Sequence, residues 1–224
     1  MDESSGETNR STRSVAYTVL GTVVVLLVTA AYAWYVNYKP AYGADRTANS
    51  VVATQTVNGV KVATLRLAIQ QKVGLGQDAD WLGYQTETTP PHPGTVFSLP
   101  KNTLVTVIIH NYDSRTALRN TFFTLVQGTV GNTVVADGKR IQVMNPDLTS
   151  HTFTIPDFGV SVPLEGISTS AKAGSYITMK FSFRTPNRTG VFRWQCIVPC
   201  GSGLYGNGGP MGGVGYMQGM ITLS

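Results

Sequence analysis

The sequence predicts an all-β domain, an antiparallel β-sandwich with Greek-key connections, carried behind a single N-terminal transmembrane helix. Three observations predict it. Between Lys61 and Ser224, short runs alternate apolar and polar residues and are separated by clusters of Gly, Pro, Asn and Asp, the pattern of half-buried strands joined by turns. That stretch contains no long amphipathic helical pattern and no internal repeat, which leaves a sandwich as the way to bury the strands. Finally, Ser14 to Tyr38 runs for 25 residues without a charge, long enough to cross a hydrocarbon core of about 30 Å as one helix.

In chain order, residues 1–14 form a short polar tail carrying Asp2, Glu3, Glu7, Arg10 and Arg13 and read as disordered, and 15–38 is the anchor. Tyr32, Trp34, Tyr35 and Tyr38 gather at the end of the anchor as an aromatic belt before Lys39-Pro40. Ala31-Tyr32-Ala33 also fits a signal-peptidase site, but the long apolar run and the belt straddling that site favour an uncleaved, single-pass span in a cell membrane. Basic residues balance across it (Arg10 and Arg13 against Lys39 and Arg46), so charge does not orient the span. The short tail and the large following domain place the C-terminal domain on the exterior or periplasmic side.

Residues 39–60 read as a small-polar linker and 61–224 as the domain. Lys61–Ile69 alternates as a first strand. His92 lies among prolines in a loop, where a solvated side chain is the simplest reading. Val96–Ile109 gives a strand, a Pro-Lys-Asn turn and a second strand, closed by His110-Asn-Tyr-Asp113. An inserted hairpin is expected within about 114–148, turning at Asp137-Gly138. Ala171–Phe183 holds the last long strand before Thr185-Pro-Asn-Arg-Thr189, where Asn187-Arg188-Thr189 is a glycosylation sequon that fits exterior placement.

Composition narrows the function. Charged residues are only 13% of the chain, about half the usual share. A surface with few carboxylates to protonate fits an acidic exterior. The net charge of +5 is spread without a cluster, so nucleic-acid binding has no support. Two cysteines with three residues between them would not staple distant parts of a fold. There is no Gly-x-Ser-x-Gly elbow and no phosphate-binding loop, and the carboxylate nearest a candidate histidine in sequence is Asp157, six residues after His151. These absences argue against a hydrolase.

The chemistry concentrates in Trp194-Gln195-Cys196-Ile197-Val198-Pro199-Cys200-Gly201 and the glycine-rich loop running to Met217-Gln218-Gly219-Met220. Thiolates favour copper, zinc or iron–sulfur centres, and a thioether favours copper. A disulfide, or two small buried thiols in a β-domain, explains the same spacing.

Gly190-Val-Phe-Arg-Trp-Gln-Cys196-Ile-Val-Pro-Cys200-Gly201 resembles the binuclear-copper (CuA) loop of cytochrome oxidase subunit II, which reads G-x-Y/F-x-x-x-C-x3-C-G-x2-H-x2-M-x-G. Met217-Gln-Gly-Met-Ile-Thr-Leu-Ser224 resembles that family's closing strand, and Ser150-His151-Thr-Phe-Thr-Ile-Pro-Asp-Phe-Gly159 resembles the segment bearing its first copper ligand. The resemblance covers the anchor and roughly residues 95–224, and implies a cupredoxin-like domain. It further implies His151, Cys196, Cys200 and Met217 as copper ligands, with the carbonyl of Val198 where the family uses a Glu or Gln carbonyl. The second histidine is missing. Its place, four residues after Cys200 or three before Met217, is held by Leu204 or Val214, in a loop ten residues longer than the family's. Nine of the nineteen residues from Gly201 to Gly219 are glycine.

Three readings follow from the resemblance. The chain is subunit II of a proton-translocating heme–copper terminal oxidase with a modified CuA-like copper site. Or it is the metal-free equivalent in a quinol oxidase, with Cys196 and Cys200 as a disulfide. Or it is a free-standing, membrane-anchored mononuclear copper protein that recruits His110. In the first two, oxygen chemistry belongs to a heme-bearing subunit I, and the donor is cytochrome c, a small copper protein or a quinol. The chain itself would be a non-catalytic component of the oxidoreductase.

Overall fold

The computed structural model describes residues 4–38, 49–74, 80–87, 94–202 and 206–224, with side chains over the same stretches except 4–14, 33–38 and 49–51. The chain divides into two units, Met1–Ala41 and Tyr42–Ser224.

The first unit holds helix α1 (Ser4–Tyr38). Its stretch Val15–Tyr32 is long and apolar enough to cross a membrane, rising about 27 Å at 1.5 Å per residue. All eighteen side chains in that stretch are exposed. Thr22 and Thr29 turn their hydroxyls back to donate to the carbonyls of Thr18 and Val25, which removes two unpaired polar groups from an apolar surface. The helix starts at Ser4, so most of the segment expected to be disordered is helical. Once an apolar helix is nucleated, extension through residues such as Glu7 and Arg10 adds a hydrogen bond per residue at little propensity cost.

In the second unit, thirteen strands occur among the described residues: β1 (Asn49–Val51), β2 (Thr54–Val57), β3 (Val60–Gln70), β4 (Gly83–Thr86), β5 (Val96–Leu99), β6 (Leu104–Asn111), β7 (Val134–Ala136), β8 (Lys139–Ile141), β9 (Thr149–Ile155), β10 (Val160–Glu165), β11 (Ile177–Arg184), β12 (Gly190–Gln195) and β13 (Gln218–Leu223). One sheet runs β1-β5-β13-β12-β9-β10; the other runs β2-β3-β6-β11-β7-β8, with β4 also paired to β3. The domain is the two-sheet, all-β structure behind one apolar N-terminal helix that the sequence predicts.

The sandwich is mixed rather than antiparallel. β1 and β13 both pair parallel to β5, and β3 pairs parallel to β6. The cause lies in the Pro100-Lys101-Asn102 turn: β5 and β6 follow one another in sequence but enter different sheets, so each meets partners from distant parts of the chain.

Alternation decides which side chains meet between the sheets. Val105, Val107 and Ile109 of β6, Met179, Phe181 and Phe183 of β11, and Leu65, Leu67 and Ile69 of β3 are buried, with more exposed residues between them. β2, in the stretch read as linker, joins β3 through Asn58-Gly59 with φ of 50° and 78°, the backbone of a two-residue hairpin turn. Asp137-Gly138, with φ of 43° and 85°, does the same between β7 and β8. Earlier in the expected insertion, Thr121–Thr124 is a 3-10 turn, with Asn120 accepting from the Phe122 N–H.

Trp194 sits at the centre of the core. It stacks on Phe153 (ring centroids 4.9 Å apart) and Phe97 (5.9 Å), meets Tyr84 edge-on (4.8 Å), and donates from Nε1 to the carbonyl of Thr95 at 2.8 Å. Gly219 is obligatory beside it. A Cβ there would collide with the Thr95 backbone, the strand-to-strand approach that the Met-x-Gly motif requires.

Candidate metal centre

β9 is buried along its whole length, which forces each of its polar side chains to find a partner. Ser150 takes the side-chain amide of Asn111 at 2.6 Å, and Thr152 Oγ1 accepts the Ile197 N–H at 2.9 Å. His151, fully buried between them, places Nε2 2.8 Å from a carboxylate oxygen of Asp113. Asp113 is held in turn by the Gln71 side-chain amide and the Ser114 N–H, each at 2.8 Å. With Nε2 donating to a carboxylate, Nδ1 is left as the free donor atom, and it faces Cys196 Sγ at 3.9 Å.

Cys196 follows β12 directly. Its N–H donates to the Met217 carbonyl at 2.8 Å, closing the stem of the 196–217 loop just ahead of β13. Its sulfur accepts the Thr152 N–H at 3.4 Å and lies 3.6 Å from both the Cys200 sulfur and the Val198 carbonyl. Both cysteines are free thiols. The structure therefore gathers His151, Cys196 and Cys200, with ligand atoms all within 4.8 Å of one another, and sets the Val198 carbonyl beside them.

The other sequence candidates lie elsewhere. His110 pairs with Glu87 and packs on the Tyr176 ring at 4.5 Å, and it is not among the ligand atoms gathered with the thiols. Asp157 is half-exposed beside Arg188 at 3.8 Å, and the carboxylate that reaches His151 is Asp113. Met217 is fully buried and tied by its backbone to Cys196 and Pro210. Among the described contacts, the thioether that reaches a thiol is that of Met211, 3.1 Å from Cys200 Sγ. His92 and Leu204 lie outside the described residues.

Electrostatics reinforce the cluster. Burial disfavours a charged His151, but the Asp113 carboxylate and then Cys196 outweigh it and push the imidazole up to about 9. Burial opposes an ionised Asp113, yet His151 holds it below 3.8. Burial also opposes the Cys196 thiolate. Cys200 and His151 outweigh that and hold Cys196 well below 9.0, while the neighbouring Cys196 and then burial hold Cys200 well above it. The Tyr84 phenol, pushed well above 10.0 first by burial and then by the cysteine charges, stays neutral and donates to the Thr152 carbonyl at 3.1 Å.

These directions fix how stability of the metal-free protein depends on pH. Asp113 contributes stability that is present above 3.8 and is lost as pH falls through its lower folded value. His151 contributes below 6.5 and loses that contribution as pH rises through about 9, while Cys196 gains its contribution as pH rises to 9.0. The two change in opposite senses as pH rises towards 9. Cys200 is stabilising up to 9.0, and its contribution is lost as pH rises through its higher folded value. We expect losses of stability below pH 3.8 and above pH 9, measured by chemical denaturation of metal-free protein. A stability maximum outside that interval would contradict these assignments.

The donor set passes the test for copper. Two thiolates, one imidazole of fixed tautomer and a thioether are soft to borderline ligands that select copper over hard cations. They converge in a site from which His151 and Cys196 exclude water.

No known protein family's profile matches the chain, and no curated protein matches it. Solved structures do. The metal-binding domain of the Cu(I)-exporting P-type ATPase CopA of Streptococcus pneumoniae, with Cu(I), is similar over 80% of this chain and 97% of that one, at 11% identity and a TM-score of 0.34. A chain of a heme–copper terminal oxidase dimer is similar over 97% of this chain and 99% of that one, at 15% identity and a TM-score of 0.31. Reduced rusticyanin is similar over 83% and 89%, at 12% identity and a TM-score of 0.34. Likeness at that level leaves the site to be read from the chain's own residues.

Proposed function

We propose that this chain is a membrane-anchored copper electron-transfer subunit, the subunit II-like component of a heme–copper terminal oxidase. The observation that carries the reading is the convergence of His151, Cys196 and Cys200 within 4.8 Å in a buried site. The likeness of the Cys196–Gly201 and His151–Gly159 segments to the CuA motifs supports it. His151, Cys196 and Cys200 would hold the copper, with Met217 and the Val198 carbonyl as weaker donors. Bound there, copper would supply a one-electron couple between an external donor and a heme-bearing partner.

The chain's own residues do the rest. Asp113 keeps the proton on Nε2 of His151, the paired interior strands β9 and β12 hold imidazole and thiol in one geometry through the change of charge, and Trp194 and Phe153, on the same two strands, stack in the core. The domain lies outside the membrane with α1 as its anchor.

The test is metal content with visible and EPR spectra of the full chain in detergent, loaded with copper. We expect about two coppers per chain with a mixed-valence spectrum that Cys196→Ser abolishes, and co-purification of a heme protein from native membranes. One copper per chain without a heme partner would instead establish the free-standing mononuclear protein. No copper, with the thiols joined, would overturn both in favour of a metal-free scaffold.

A further inference from the structure

The described parts of the loop, 201–202 and 206–216, are tied together. The Gly201 N–H donates to the Gly206 carbonyl at 2.7 Å, and Ser202 and Gly208 exchange both backbone hydrogen bonds, at 3.1 and 2.8 Å. A Cβ on Gly201 would collide with the Gly208 carbonyl, so only glycine lets the two arms close. The chain leaves this turn into the 3-10 turn Gly209–Met211, with Pro210 buried in it. The Met217 N–H donates to the Pro210 carbonyl at 3.2 Å. Residues 206–211 thus form a folded arm whose last residue is Met211, tied to Gly201 and Ser202 on one side and to Met217 on the other.

That arm delivers a soft donor to a specific place. Met211 Sδ lies 3.1 Å from Cys200 Sγ, while His151 Nδ1 stands 3.9 Å from Cys196 Sγ. Each thiol therefore has its own neighbour, imidazole on the Cys196 side and thioether on the Cys200 side. Met211 is half-buried and packs against the core with Cys200, so its sulfur is held rather than sampled. Thioether sulfur is a soft ligand that favours Cu(I).

Building on the copper reading above, we infer that Met211 is a copper ligand on the Cys200 side, supplying a thioether where the CuA motif has its second histidine. The lengthened loop is the device that brings it in. A thioether in place of an imidazole biases the centre towards Cu(I), so the site retains Cu(I) against oxidation more strongly than one with a histidine on each side.

The test uses the full chain in detergent, selenomethionine-labelled and loaded anaerobically with Cu(I). Affinity is read by competition with a chromogenic Cu(I) chelator, and ligation by copper K-edge X-ray absorption. Met211→Leu keeps the side chain's size and is expected to melt like the parent, to lose one copper–selenium contact, and to weaken Cu(I) binding by about tenfold or more, the scale at which support of a metal site acts. Met217→Leu serves as the comparison, and should leave the Met211 contact in place. Met211→His should restore copper retention and shift preference towards Cu(II). Unchanged copper–selenium scattering and affinity in Met211→Leu, with binding still lost in Cys196→Ser, would overturn the ligand role of Met211 and leave the copper site standing. Failure of the parent chain to bind Cu(I) through its thiols would overturn both.

Discussion

Replacing Trp194 with alanine is expected to lower the stability of the domain by about 3–5 kcal/mol, the range for emptying a large aromatic site in a packed core. Trp194 is fully buried and touches three aromatic rings, so its neighbours cannot collapse into the space without leaving their own rotamers. In a domain of this size that loss lowers the melting temperature by roughly 10–15 °C. Near-UV circular dichroism during thermal unfolding of metal-free protein reads it directly. Trp194→Phe should cost much less, because it keeps the stack and leaves the Thr95 carbonyl still accepting the Met220 N–H at 3.0 Å. A melting temperature within about 3 °C of the parent for the alanine variant would show that the ring cluster is not the keystone of the core.

Asp113→Asn should separate orientation of the metal site from the fold. The carboxylate fixes which nitrogen of His151 carries the proton and strengthens the other as a donor. Asparagine keeps the shape but removes the charge. Copper stoichiometry should stay as in the parent while affinity falls by about 10–100-fold, the usual consequence of losing such a partner. Copper uptake near neutral pH should also release fewer protons, since His151 no longer has Asp113 raising its affinity for a proton. A purely structural aspartate would change the melting temperature and leave proton release alone. Equal affinity and equal proton release in parent and variant would remove Asp113 from the site.

The strands were legible because alternation and burial coincide: Val105, Val107 and Ile109, or Met179, Phe181 and Phe183, show in the sequence which face turns inward. Cys196 and Cys200 were legible through their spacing, and His151 through the motif around it. Asp113 was not, because 38 residues separate it from His151 and the two meet only where the end of β6 reaches β9 of the other sheet. Met211 was hidden for a different reason. Its position depends on a turn closed by glycine backbone, which has no periodicity to read. Asn58-Gly59 carried a clear hairpin signal that a small-polar surrounding masked. The start of α1 escaped because Ser4–Ser14 has no apolar stripe, and a polar extension of a membrane-length helix needs none.

The position of β13 governs the order of events during synthesis. It lies between β5 and β12 in its sheet, whose other neighbours are β1 and β9, so the β1-β5 part and the β12-β9-β10 part of that sheet are not joined until residues 218–223 have emerged, long after β5. Until then the 196–217 loop has no closed stem, and its two sulfhydryls stand unprotected in whatever milieu the nascent domain meets. Non-local pairing of this kind is slow. The interval before β13 docks is thus a window of vulnerability to premature oxidation, and a redox-buffered exit route or an early copper donor would matter most there.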